Sequence, residues 1–597
     1  MAKEKLFKGG EFILTDASPE DIFTPEDFTE DQRLIGKSAE EFYQGELVPK
    51  KDEIEEVNYD LLRKLLNKAG ELGFIGADMP EAYEGSELDK VSSTLITENI
   101  SPGITGFSVT YAVQTGIGGL PILLFGTPKQ KEKYLPGIAT GKKVAAYALT
   151  EPAHGSDALS AETTAVLSDD GKHYILNGQK QFITNAGFAD IILTYGQVDE
   201  TKFTSFIVER EWEGVSLDEE EKKMGMHGSS TRAVIFQDVK VPVENVLLEV
   251  GRGHIVALNT LNVGRYKLSA FTVGSCKLLI AEAVKYAKGR IQFGKPICEF
   301  GLIKHKIAEM VLKAYVNESM MYRTAGLLDL ALEGIDFTSE DSGKKIGEVL
   351  KTYALECSIN KVFGSETLDY VADESVQIFG GYGYIQDYPV EQAYRDSRIN
   401  RIWEGTNEIN RLLIVDMLMR SALKGELPLL AAIKKVTDEL LSFSPSMGED
   451  EGILEKEQKM VANAKKIGLL AAGAAAQKFM EKLANEQEIV AMIADIIIEI
   501  FAMESALLRT LKKVGKEGEE KSNIHIAATQ VYINDSFPKV DLMGKQIITA
   551  IAEGEELRTN LMALKRLAKY TPINTIALRR EIADSIIPVA RYHMTKM

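Results

Sequence analysis

Cysteine is scarce: Cys276, Cys298 and Cys357 lie far apart, form no CxxC pair and leave an odd thiol. That excludes a disulfide scaffold and fits a reducing compartment. The seven histidines show neither HExxH nor another metal-ligand spacing, so no metal is expected. No GxGxxG opens a helix after a strand and no GxxxxGK[ST] occurs, so any nucleotide is held by another device. Long apolar runs are also missing. The most apolar late stretch, 489–511, is broken by Asp495, Glu499 and Glu504, which argues against a bilayer span. Positive charge is in deficit, with 69 Lys+Arg against 88 Asp+Glu for a net −19, an adverse field for gripping phosphate backbones. Nucleic acid is therefore not an expected partner. The opening MAKEKLFKGGEF has neither the apolar core of a signal peptide nor the Arg/Ser-rich, acid-poor character of a transit peptide, and the expectation is a cytoplasmic protein.

What is present is an ordinary globular mix, 45% apolar and 26% charged over 597 residues. At roughly 150 residues per domain this suggests about four units. Apolar residues recur three and four apart up to about 143, predicting helices. The period falls to two between 144 and 252, with turn pairs such as Asp170-Gly171 and Asn177-Gly178, predicting a β domain. Helical spacing returns over 253–424, in segments 254–290, 300–332, 344–379, 388–395 and 405–423, and continues over 425–597. The last part differs electrically: residues 421–597 carry 24 charges of each sign, so the −19 belongs to residues 1–420. Within it, 557–597 hold eight basic residues against Glu581 and Asp584. Such a cluster is either a solvated face lying against the acidic body or a peripheral membrane contact.

Three segments carry candidate chemistry. Ala148 to Asp157 (ALTEPAHGSD) opens the β block, and Gln377 to Tyr384 (QIFGGYGY) sits between two helices. Each reads equally as a loop where glycine supplies positive φ. In Tyr394 to Ile409, Glu404 stands between Trp403 and Gly405 at the start of a helix. A carboxylate there is either an N-terminal cap or a general base raised by an apolar wall, and periodicity does not choose.

Taken together, YALTEPAHGSD (147–157), NGQKQFITNAG (177–187), KKMGMHGSSTRAVIFQDVKVP (222–242), RIQFGKPI (290–297) and QIFGGYGYIQDYPVEQAYRDSRINRIWEGTNEINR (377–411) resemble the acyl-CoA dehydrogenase flavoproteins. The resemblance spans nearly all of 30–420, and the tail points to the very-long-chain branch. It implies a mainly α fold with a middle β domain: an N-terminal helical domain (1–143), a β-barrel-like middle domain (144–252), a four-helix-bundle catalytic domain (253–424) and a C-terminal helical extension (425–597). It also implies FAD and α,β-dehydrogenation of an acyl-CoA in fatty acid β-oxidation, with Glu404 as the base. Some relatives place that glutamate at the position of Gly264, which has no carboxylate here. By the same resemblance Tyr147, Leu149 and Thr150 flank the isoalloxazine, Phe182, Ile183 and Thr184 cover its other face, and Ser156 lies near the pyrophosphate and the CoA. Arg290, Phe293, Gln377, Gly380 and Gly381 approach the cofactor of a neighbouring subunit, with Thr406 and Glu408 completing that contact. Asn262, Arg265 and Gly405 fall on the substrate side.

The departures are His154 for a small residue, Gln392 for the common Lys or Arg, and Phe182 for Trp, which removes indole stacking area. Residues 103–122 are expected to line the acyl pocket; they are rich in glycine and lack Asp and Glu, which fits a long chain, although glycine equally serves close helix packing. The expected acceptor is an electron-transferring flavoprotein and the expected assembly a homodimer. Two other functions share the fold: an oxidase that passes electrons to O₂, and a DNA-binding flavoprotein, which the acidic catalytic part disfavours.

Overall fold

A computed structural model describes residues 6–339, 341–441 and 452–596. Met1–Lys5, which belong to the segment read above as leaderless, lie outside them. Helices dominate up to Pro128–Ala139, and a sheet then runs from Ala145–Ala148 to Val246–Leu247. Its strands follow the order Val215–Leu217, Thr231–Pro242, His173–Thr184, Thr164–Leu167, Ile191–Val198, Lys202–Glu209, Val246–Leu247, and Ala145–Ala148 joins Ile191–Val198 in parallel. Pairing among the described strands does not close into a ring. The short strand Ala145–Ala148 is buried at every residue, because it lies between the sheet and the helices in front of it. Gln114 fixes that contact, donating to Lys143 O at 2.8 Å and accepting from Ala145 N at 2.8 Å.

Three long helices, Gly253–Gly289, Gly301–Leu332 and Ala354–Phe379, pack with Asn407–Leu423 as a bundle. The helix expected over 344–379 is two, Ser342–Thr352 and Ala354–Phe379, broken at Tyr353. The cause is the N-terminal segment. It crosses at the break so closely that a Cβ on Gly9 would stand 1.8 Å from Thr352 O, while the Tyr353 hydroxyl donates to Phe7 O at 2.8 Å. No periodicity within the helix announces a crossing from 340 residues away.

The extension forms helices Leu429–Leu441, Glu455–Phe479, Gln487–Glu517, Glu519–Ile551, Gly554–Leu567 and Thr575–Val589, and it packs on Gly301–Leu332. The acids that interrupt 489–511 reach partners on other helices: Asp495 takes Arg411, Glu499 takes the Tyr532 hydroxyl, and Glu504 takes Arg323 and Lys465. Of the eight basic residues in 557–597, Arg579 is buried, paired with Glu309 and Asp535; the others are exposed. Among the described residues one helical stretch, Thr105–Phe125, is long and apolar enough to cross a membrane, and 89% of its apolar window is buried inside the protein.

Candidate active site

The turn Trp403-Glu404-Gly405 is built from two consecutive residues with positive φ, 57° at Glu404 and 78° at Gly405. A left-handed glutamate is costly, so neighbours must hold it. They do so through its carbonyls. Arg265 Nε donates to Glu404 O at 3.0 Å, Lys361 Nζ to Gly405 O at 2.8 Å, and Asn410 Nδ2 to Gly405 O at 2.8 Å and Thr406 O at 3.0 Å. Thr406 caps the helix Asn407–Leu423, its Oγ1 accepting from Ile409 N at 3.2 Å. The cap is thus Thr406, and Glu404 is free of that duty.

The Glu404 side chain turns inward. Its Oε2 is buried with no hydrogen-bond partner among the described residues, and burial pushes its pKa up to about 7 against the opposing pull of Arg265 and Lys361. A carboxylate poised near neutrality in an apolar wall has the properties of a general base. Gly264 lies directly against it: a Cβ there would stand 2.6 Å from Glu404 Oε2 and 2.8 Å from its Cδ. Positions 264 and 404, which the resemblance names as alternative seats of the base, address the same space. Gly264→Ala is therefore expected to swing the carboxylate aside and lower kcat about 10²-fold with FAD retained; steady-state turnover on palmitoyl-CoA beside the flavin absorbance checks this.

Tyr147 faces the same space. It sits in the strand Ala145–Ala148 opposite Leu193, with its hydroxyl buried and its ring against Tyr195. Burial drives its phenol pKa up, and the nearby Glu404 charge adds to the rise. Leu149 is buried and Thr150 half-buried; Gln181 N donates to Thr150 O at 2.8 Å, which brings the 147–150 segment beside Phe182. The strand register shifts between Lys180 and Ile183, and at this bulge Phe182 adopts φ 59° and is 62% exposed. A bulge re-aims one side chain off the sheet, so Phe182 is no core aromatic. Ile183 is buried and Thr184 half-buried. Beneath them Lys180 and Glu151 form a fully buried pair at 2.6 Å that anchors the loop. Ser156 is exposed on that loop, and His154 lies 3.6 Å from Glu162.

A second group is well separated from the first. Arg265 and Arg290 belong to one helix and its C-cap, so the rise per residue sets them about 37 Å apart. Arg290 has no carboxylate partner among the described residues; its guanidinium lies 5.6 Å from the centroid of the Tyr382 ring. Phe293, with φ 53°, is 93% exposed. Gln377, Gly380 and Gly381 are exposed as well. Gly380 combines φ 60° with ψ −138°, which only glycine adopts readily, and a Cβ on Gly381 would meet nothing of this chain within 4 Å. Glu408 is exposed in the first turn after Thr406.

Asn262 and Arg265, expected on the substrate side, are buried and joined to each other, Arg265 Nη1 donating to Asn262 Oδ1 at 2.9 Å. Their hydrogen bonds hold the turn from below. Sequence reasoning missed Lys361, Asn407, Asn410 and the pair Lys180–Glu151. The available signal was slight: Lys361 stands between Ile359 and Val362-Phe363 in a helical segment whose apolar positions face inward.

Family models for the acyl-CoA dehydrogenase N-terminal, middle and C-terminal domains match residues 29–142, 146–239 and 251–419, and a second C-terminal-domain model matches 463–566. A probable acyl-CoA dehydrogenase of Bacillus subtilis is 49% identical over 98% of both chains. The very long-chain specific acyl-CoA dehydrogenase of Rattus norvegicus is 41% identical over 64% of this chain and 56% of its own. The crystal structure of an acyl-CoA dehydrogenase complexed with FAD from Bacillus anthracis superposes with a TM-score of 0.97 at 48% identity, covering 98% of this chain and all of that one. With the Glu404 turn, the re-aimed Phe182 and all four domain matches in order, the chain belongs to the acyl-CoA dehydrogenase family.

Proposed function

We propose that this protein is an FAD-dependent acyl-CoA dehydrogenase acting on long-chain acyl-CoA in β-oxidation, with Glu404 removing the α proton. The observation that carries the reading is the buried Glu404 carboxylate, one oxygen unpartnered, beside Tyr147. The residues fit the cofactor. Tyr147, Leu149, Thr150, Phe182, Ile183 and Thr184 offer a surface from which one aromatic is deliberately raised, while Gly380 and Gly381 leave their backbone open to approach. FAD supplies the two-electron acceptor that takes the β hydride.

The chain's own residues do the rest. An α C–H beside a thioester is weakly acidic, so the carbonyl oxygen needs a donor that strengthens as negative charge develops on it. The Glu404 N–H takes no part in the hydrogen bonds that hold its turn, which leaves it available for that oxygen. Glu404 accepts the α proton, its C–H electron pair becoming the new α,β double bond as the β hydride leaves. Trp403, packed against the bundle core, closes one side of the turn to water.

The long-chain preference is supported by the likeness to the very long-chain specific enzymes and by an apolar wall at 103–122. The glycines there carry less of the argument than their number suggests. Cβ atoms on Gly106, Gly118 and Gly119 would strike Gly228, Ala145 and Ile138 at 2.7–2.8 Å, so these three serve close packing, and only one on Gly116 would meet open space. Anaerobic titration with acyl-CoAs from C4 to C20 is expected to bleach the flavin most completely with the long chains; strongest bleaching by butyryl-CoA would overturn the preference. Electrons then pass to an electron-transferring flavoprotein, and peroxide formed without added acceptor would instead make the enzyme an oxidase. The exposed Arg290, Phe293, Gln377, Gly380 and Gly381, about 37 Å from the base turn, fit a cofactor bound by a second copy in a homodimer. The exposed Lys565, Lys569, Arg580 and Arg591 support peripheral membrane contact as a reading of 557–597, and the location proposed is cytoplasmic.

A further inference from the structure

Lys361 lies in the helix Ala354–Phe379 with no exposed surface. An ammonium is strongly hydrated, so burying one costs heavily unless its protons find acceptors. Here they do: Nζ donates to Gly405 O at 2.8 Å and to Asn407 Oδ1 at 2.7 Å, and Asn407 is itself fixed by donating to Ser365 and Glu366. Both of the lysine's acceptors belong to the segment that carries Glu404. Four charged groups face it: Glu366 on its own helix, Arg265 on Gly253–Gly289, Glu404 on the turn and Glu408 on Asn407–Leu423.

The turn's shape does not rest on Lys361 alone, because Arg265 and Asn410 hold the same carbonyl cluster. What Asn410 lacks is charge. On the reading of Glu404 as the base, we propose that Lys361 is a positioning residue of the active site: it braces the Glu404–Gly405 turn through the Gly405 carbonyl and sets a second cationic group, beside Arg265, next to the buried carboxylate. Burial pushes Lys361 down to about 7 and Glu404 up to about 7, and each charge opposes the other's shift. A buried carboxylate without its neighbouring cation protonates more readily, and removal of such a cation moves a carboxyl by about one unit or more.

The test compares Lys361→Met, which removes charge and donors, with Lys361→Gln, which removes the charge and retains N–H donors on a side chain one bond shorter. The Glu404 carboxyl is titrated in each holoenzyme by infrared difference against the matching Glu404→Gln protein, and the pH dependence of anaerobic flavin bleaching by palmitoyl-CoA is recorded beside it. Both variants are expected to raise the carboxyl midpoint by about one unit and to carry the acid limb of the bleaching profile with it, whereas Lys361→Arg leaves the midpoint in place. An unmoved midpoint in Lys361→Gln overturns the proposal even if the rate falls, and this variant decides should Lys361→Met not fold. Wild-type bleaching by Glu404→Gln would instead overturn the base assignment, a separate failure that the infrared midpoint does not report.

Discussion

Glu404→Gln is expected to keep its FAD and its acyl-CoA affinity while steady-state turnover falls about 10⁴-fold. The substitution leaves the turn intact because Arg265, Lys361 and Asn410 grip the carbonyls of residues 404–406 and none of them hydrogen-bonds the carboxylate. Gln has the shape of Glu, so it meets Gly264 as Glu does. What disappears is the group that takes a proton, and the amide has no substitute for it. Were Glu404 a helix cap, the change would lower stability and leave turnover alone, but the cap is Thr406. Turnover on palmitoyl-CoA with an electron acceptor, measured beside bound flavin and thermal midpoint, checks the split.

Arg509→Leu is expected to produce the largest loss of stability from a single side chain, about 3–5 kcal/mol. Arg509 is completely buried and joins three parts of the chain. Its Nε donates to both oxygens of Glu26 at 3.1 Å, its Nη1 to Glu318 at 2.7 Å, and its Nη2 to the Thr595 hydroxyl at 2.8 Å. Removing it strands the fully buried Glu318 with Lys277 as its remaining cation. Desolvation would raise the Glu318 carboxyl, and the Lys277 and Arg509 cations outweigh it, holding the group well below its usual range. A depressed carboxyl stabilises the fold above its unfolded pKa, and that contribution fades as pH falls through the folded value. Because pH 4 still lies above the folded Glu318 value, most of the variant's deficit is expected to remain there, shrinking only in stronger acid. Denaturant unfolding of the holoenzyme at pH 7 and at pH 4 measures both effects, and a wild-type midpoint at pH 7 would show that the extension is held by its apolar faces alone.

The element order was legible in the sequence because period two and period 3.6 are local properties, and the turn that carries Glu404 could be singled out because WEGTNEI is contiguous. The residues that surround the Glu404 carboxylate were not. Gly264 and Lys361 lie 140 and 43 positions from it, and their meaning appears only when three helices bring them to one carboxylate. The bond from Arg265 to the carbonyl of Glu404, and that from Arg265 to Asn262, join positions too far apart or too ordinary to be read along the chain. For the glycines of 103–122 composition left both a pocket and close helix packing open, and the tertiary contacts show close packing at most of them.

The most direct test is rapid anaerobic mixing of palmitoyl-CoA with wild-type and Glu404→Gln holoenzyme across pH 5–9, following flavin absorbance. In wild type the bleaching rate is predicted to rise with pH through about 7, where burial sets the Glu404 carboxyl, because only the ionised form accepts the α proton. In Glu404→Gln that limb is predicted to vanish and the rate to stay orders of magnitude lower at every pH. Bleaching of the variant at the wild-type rate, with the same rise through neutrality, would contradict the assignment of Glu404 as the base.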